Sequence, residues 1–161
     1  MAHITLFTFY AGMEEYPLIL EEFRRILSGL APFDLKFFGF ASFPPRPLQT
    51  FYVKPEDASS KIIINNCATI NATFRRSLKR NHLKNWKNKA FKDPHMSIGH
   101  ELTEAEISKC NDMASEGFCK SFLCKSFVIR RFNVDKRQYD IIDQIPLLDH
   151  QYVIGRQLTL F

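Results

Sequence analysis

The sequence predicts an α+β domain built from two similar lobes. Three observations lead there. The pattern histidine, aliphatic, hydroxyl, aliphatic occurs twice, as His3-Ile4-Thr5-Leu6 and as His95-Met96-Ser97-Ile98. Each copy precedes a segment of helical periodicity, and each such segment precedes further runs of strand character. No repeat of solenoid period competes with this division.

Taken in order, Ile4 to Phe9 reads as a strand. A helix follows from about Glu14 to Ser28, because Ile19, Phe23, Ile26 and Leu27 recur at helical spacing, with Pro17 acceptable only near its start. Phe33 to Phe43 is an aromatic-rich strand with Gly39 as a candidate bulge, and Pro44-Pro45-Arg46-Pro47 connects it to a returning strand from Gln49 to Lys54. The longest helical pattern runs from about Asp57 to Arg80 on the stripe Ile63, Cys67, Ile70, Phe74 and Leu78, with Asp57, Ser59 or Ser60 as N-cap. Asn81 to Asp93 reads as a loop that delivers the chain to the second motif strand. Thr103-Glu104-Ala105-Glu106 is a capping box opening a helix to about Glu116, stopped by Gly117. Phe118 to Phe132 reads as one central strand, apolar on both faces, and Tyr139 to Ile145 pairs back after a turn at Asn133 to Lys136.

At 161 residues the chain is expected to form one domain with a substantial core. No apolar run reaches membrane-spanning length and the start lacks the layout of a signal peptide, so a cytoplasmic protein is expected. Cys67, Cys110, Cys119 and Cys124 form no CxxC pair and no ligand spacing, which points to reduced, mostly buried thiols. The net charge of +5 is concentrated. Arg75, Arg76, Lys79, Arg80, Lys84, Lys87, Lys89 and Lys92 fall in one stretch without an acid, and the rest of the chain is slightly acidic.

The paired motif carries the chemistry. In a strand, His3 and Thr5 share one face while Ile4 and Leu6 share the other, and His95 and Ser97 are placed likewise against Met96 and Ile98. Two strands that each present an imidazole and a hydroxyl suit a phosphate held between two proton-transfer groups. The competing reading is two edge-strand histidines satisfied by water or backbone.

In these motifs and in the order of elements between them, residues 2 to 148 resemble the two-histidine (2H) phosphoesterase superfamily, which includes 2′-5′ RNA ligase-like proteins and cyclic phosphodiesterases. The resemblance implies a two-lobed LigT-like fold, with antiparallel sheets lining a central groove and helices outside. It implies a domain over residues 1–148 that lacks the strand and helix relatives usually carry ahead of the first motif. The tail, residues 149–161, could add a strand at that edge. It also implies catalysis by His3, Thr5, His95 and Ser97, with no cofactor or metal. His95 would act as base for water, His3 as acid for the leaving oxygen, and the two hydroxyls as donors to the phosphate. Opening of 2′,3′-cyclic phosphates to 2′-phosphates, or reversible formation of 2′-5′ linkages, follows from the same resemblance.

The basic stretch is expected to line the groove and grip RNA ends or cyclic nucleotides, with Lys84, Lys87 and Lys89 on the backbone and Trp86 stacking on a base. Arg130 is a further substrate-binding candidate. Cations at a helix end are also favoured by the dipole alone. His100 reads as structural, His82 as a solvated histidine in the basic loop with phosphate contact as the alternative, and Tyr52 as a core or rim aromatic. The alternative function is a non-catalytic module of the same fold that binds RNA or a nucleotide phosphate; a third is a protein-interaction domain using the uncovered sheet edge.

Overall fold

In the computed structural model, which describes residues 3–43, 47–114 and 117–150, the strands and helices follow the order β1 (Phe7–Tyr10), α1 (Tyr16–Leu27), β2 (Phe33–Ser42), β3 (Gln49–Pro55), α2 (Asp57–Thr73), α3 (Arg76–His82), β4 (Lys84–Asn88), β5 (Met96–Leu102), α4 (Glu104–Met113), β6 (Cys119–Cys124), β7 (Ser126–Asn133) and β8 (Gln138–Pro146). All strand pairs are antiparallel. One sheet has the order β5-β3-β2-β6, and β1-β4 and β7-β8 form two ribbons. A bridge between Ile4 and Met96 sets the start of the chain beside β5, so the four-stranded sheet continues into the β1-β4 ribbon.

The core forms where helix stripes meet sheet faces. Ile19, Phe23, Ile26 and Leu27 of α1 and Ile63, Cys67 and Ile70 of α2 are buried against Phe33, Leu35, Phe37 and Val53 of the sheet. Each such side chain contributes about 1.5–3 kcal/mol by leaving water. In β2 the alternation is regular from Phe33 to Phe38 and then fails. Gly39 has a φ of +74°, and the register with β3 shifts between Phe37 and Phe40, which is the expected bulge.

Four expectations change. The long helix from Asp57 is two helices, because Phe74 and Arg75 are extended and the Arg75 N–H donates to Glu22 Oε1 (2.8 Å) instead of continuing the helix. The cap residue of α2 is Glu56, without a side-chain cap bond; Ser59 instead accepts from the Lys36 N–H (3.0 Å), tying α2 to β2. The loop before the second motif contains a strand, β4, whose Trp86 stacks on Phe7 and Phe9 across the ribbon. The central strand expected from Phe118 to Phe132 is two strands in different sheets, with β6 at an edge. Its apolar residues on both faces arise because the chain changes sheet at Lys125, beside the bond from the Leu147 N–H to the Lys125 carbonyl (2.8 Å).

The capping box at Thr103 and Glu106 is present, with the Thr103 N–H donating to Glu106 Oε2 (2.8 Å). Cys67 and Cys124 are buried, Cys110 is half-buried and Cys119 is exposed. Burial pushes the Cys67 thiol up to about 12. The connection at Pro44–Arg46, the end of the α4 pattern at residues 115–116 and the tail from residue 151 lie outside the described residues. No helix among the described residues is long and apolar enough to cross a membrane.

Candidate active site

The Ile4–Met96 bridge brings the two motifs together. Residues facing each other across an antiparallel pair point to the same side, and both Ile4 and Met96 pack on the core. Their neighbours therefore point the other way, with His3 set across from Ser97 and Thr5 across from His95. Facing Cβ atoms at such a pair lie about 4.5–5.5 Å apart and diagonal ones about 7–8 Å apart. By that register alone, the two histidines fall on one diagonal of a small rectangle and the two hydroxyls on the other.

Each imidazole has a partner that fixes its tautomer. His95 Nδ1 lies 2.7 Å from the Asp93 carbonyl oxygen, which can only accept, so Nδ1 carries the hydrogen and the lone pair of the neutral ring is on Nε2. His3 Nδ1 lies 2.9 Å from Arg130 Nη1, and a guanidinium can only donate, so the lone pair is on Nδ1 and the hydrogen on Nε2. At Nε2 the neutral His95 ring is an acceptor and the neutral His3 ring a hydrogen-bond donor.

Aromatic rings hold His95 in place. Phe43 meets it edge-on with centroids 4.9 Å apart, and Tyr52 lies at 5.1 Å. Tyr52 faces Ser97 across β3-β5 and so belongs to the same face. Burial, with a further contribution from the Asp93 charge, raises the Tyr52 hydroxyl above its ordinary range and keeps it protonated.

Arg130 belongs to the site, but through His3. Its Nη2 donates to the Tyr139 carbonyl (2.8 Å), and its guanidinium lies over the Tyr139 ring at 5.6 Å. Its Nε is buried and has no hydrogen-bond partner among the described residues.

Much of the basic stretch is used structurally. Arg75 is bound to Glu22 (2.7 Å), His82 to Glu15 (2.9 Å), and Lys79 to Asn71 Oδ1 (2.9 Å) beneath the Trp86 ring. Trp86 is half-buried: its ring packs against Phe7, Phe9, Phe23 and Phe74, and its Nε1 donates to Asn71 Oδ1 (3.0 Å). Lys84, Lys87 and Lys89 are exposed on and just after β4, with Lys87 on the side opposite Trp86. His100 lies 3.2 Å from the Thr50 hydroxyl, away from the rectangle. Sequence reasoning missed Phe43 as a support for His95 and the Tyr139 side of the site. The period-two spacing of Arg130 and Phe132 was the available signal for the latter.

Among the described residues, no group of three His, Cys, Asp or Glu side chains is arranged to hold a metal ion.

With this geometry in view, comparison with known proteins identifies the class. The family model described as the 2′-5′ RNA ligase superfamily matches residues 1–136, and the chain belongs to that superfamily of two-histidine phosphoesterases. Its members are generally enzymes that act on RNA or nucleotide phosphates. A similar solved structure, that of TT0787 of Thermus thermophilus, matches with a TM-score of 0.52 at 14% sequence identity, covering 86% of this chain and 73% of that one. This similarity bears on the fold, which is LigT-like. No curated protein matches the chain.

Proposed function

We propose that this protein opens 2′,3′-cyclic phosphates at RNA ends or in nucleotides to 2′-phosphates by two-histidine acid–base catalysis. The observation that carries the reading is the Ile4–Met96 bridge, whose register brings the two histidine motifs side by side. His95 Nε2, holding a lone pair, takes a proton from water as the water oxygen bonds to phosphorus. The bond from phosphorus to the 3′-oxygen breaks, and His3, protonated on both ring nitrogens when it acts as the acid, gives that oxygen its Nε2 proton and is left neutral. Thr5 and Ser97 donate to the non-bridging oxygens, where negative charge grows. Arg130 donates to Nδ1 of the neutral His3 ring and so holds its aim between turnovers. After one turnover His95 is the charged ring and His3 the neutral one, and exchange with solvent resets both.

With a 5′-hydroxyl in place of water, the same site forms the P–O5′ bond as the P–O3′ bond breaks, so formation of a 2′-5′ linkage needs no further residue. Lys84, Lys87 and Lys89 supply a cationic approach for the RNA backbone.

The test uses 2′,3′-cyclic AMP and an analogue with sulfur in place of the 3′ leaving oxygen. Each histidine replaced by alanine should lower turnover of the oxygen substrate by about 10²–10⁴-fold. Sulfur leaves without a proton, so the analogue should restore His3→Ala and leave His95→Ala impaired. Rescue of His95→Ala instead would reverse the roles, and a 3′-phosphate product would refute the assigned direction of opening.

A further inference from the structure

The face of β7-β8 that holds Arg130 carries two aromatic rings the mechanism does not use. Phe132 stands opposite Tyr139 and Arg130 opposite Ile141, so the four share one side of the ribbon. Phe132 and Tyr139 are 48% and 53% exposed, with centroids 5.2 Å apart at an interplanar angle of 60°. On the other side of the same strand, Phe127 and Ile129 pack against the core, so these two rings are not an overflow of it.

Their position relative to the histidines gives them a use. Arg130 spans from His3 Nδ1 (2.9 Å) to the Tyr139 carbonyl (2.8 Å) and lies over the Tyr139 ring, so one side chain joins the phosphate-handling end to the aromatic end. Beside Arg130 the register shifts because β8 carries one extra residue, Ile142, between Asp143 and Ile141, the partners of Ile129 and Arg130. Residues two apart in a strand are about 6.6 Å apart, which sets Phe132 beyond Arg130 at the reach of a base from its own ribose phosphate.

We infer that Phe132 and Tyr139 form a nucleobase-stacking subsite for the nucleotide whose phosphate lies between His3 and His95. The inference rests on the proposed function for the position of that phosphate. Rings recognise the π-face that every base has, so the subsite accepts all four bases and favours the larger purines.

The test is calorimetric titration of the full chain with adenosine 2′-phosphate and with glycerol 2-phosphate, which has no base. Wild-type protein should prefer the nucleotide by about tenfold or more. That preference should collapse in a Phe132→Leu/Tyr139→Leu double variant and persist in Tyr139→Phe, with folding of each variant checked by Trp86 fluorescence. Equal affinity for the two ligands in wild type, or an intact preference in the double variant, would overturn the subsite. Turnover of 2′,3′-cyclic AMP, followed alongside, separates the two claims. Base-dependent binding without turnover supports the subsite and removes the enzymatic reading; turnover without base preference does the opposite.

Discussion

Replacing Glu22 by glutamine removes a charge that the fold is built to hold. The carboxylate is fully buried. It accepts from Arg25 Nε (3.0 Å) and Nη2 (2.7 Å), from Arg75 Nε (2.7 Å) and from the Arg75 backbone N–H (2.8 Å). Burial works to raise its pKa, but the bonds from Arg25 and Arg75 outweigh burial and hold it at about 2, against an ordinary 4.5. A depressed carboxylate stabilises the folded state above the ordinary value, and that contribution falls away as pH drops towards the folded one. At 1.36 kcal/mol per pKa unit the contribution is about 3 kcal/mol at neutral pH. Glu22→Gln should therefore lose about 3 kcal/mol at pH 7, within the range for breaking a buried pair. Urea unfolding from pH 7 to pH 2.5 reads this directly. Wild type should lose its advantage over the variant between about pH 4.5 and pH 2.5, so that the two curves converge. Curves that stay parallel over that range would refute the clamp as a source of stability.

Three other perturbations separate structural from functional residues. Trp86→Leu should cost about 3 kcal/mol of stability in thermal or urea unfolding, because it empties an aromatic cluster; a variant as stable as wild type would mean that the ring is not part of the core. Arg130→Gln should lower kcat on 2′,3′-cyclic AMP at least tenfold with little change in KM, and should alter the pH–rate profile, since the residue acts through His3; a pure KM effect would make it a substrate contact. Neutralising Lys84, Lys87 and Lys89 together should weaken RNA binding and reduce the salt dependence of log Kd by about one per lost phosphate contact. Unchanged affinity would remove the basic stretch from substrate binding.

The histidine motifs could be read because strand alternation is local, but the expected apolar face breaks at Ile98, which is exposed where the register shifts between Ser97 and Gly99. Their mutual register was not legible. Ile4 opposite Met96 is a pairing across most of the chain, and nothing local encodes it. The break between α2 and α3 was hidden for a related reason. The apolar stripe runs on through Phe74 to Leu78, and what interrupts the helix is Glu22, a residue 53 positions away that takes the Arg75 N–H. Strand β4 was missed because Lys84-Asn85-Trp86-Lys87-Asn88 has little β-propensity of its own, and Asn85 even takes a φ of +54°. Its stacking on Phe7 and Phe9 supplies what propensity lacks. The same tertiary contacts pack one side of Trp86, expected as an RNA contact, against the core. Arg130 was identified as a site residue from its place late in a strand, but its bond to His3 depends on how β7 lies against the start of the chain.

The most direct test of the account is turnover of 2′,3′-cyclic nucleotides and of an RNA ending in a cyclic phosphate, by wild type, His3→Ala and His95→Ala, with and without chelator. The account predicts opening by wild type that chelator leaves intact, a 2′-phosphate product, and loss of turnover in both variants. Folded wild-type protein that binds these ligands but opens none of them at any pH would contradict it.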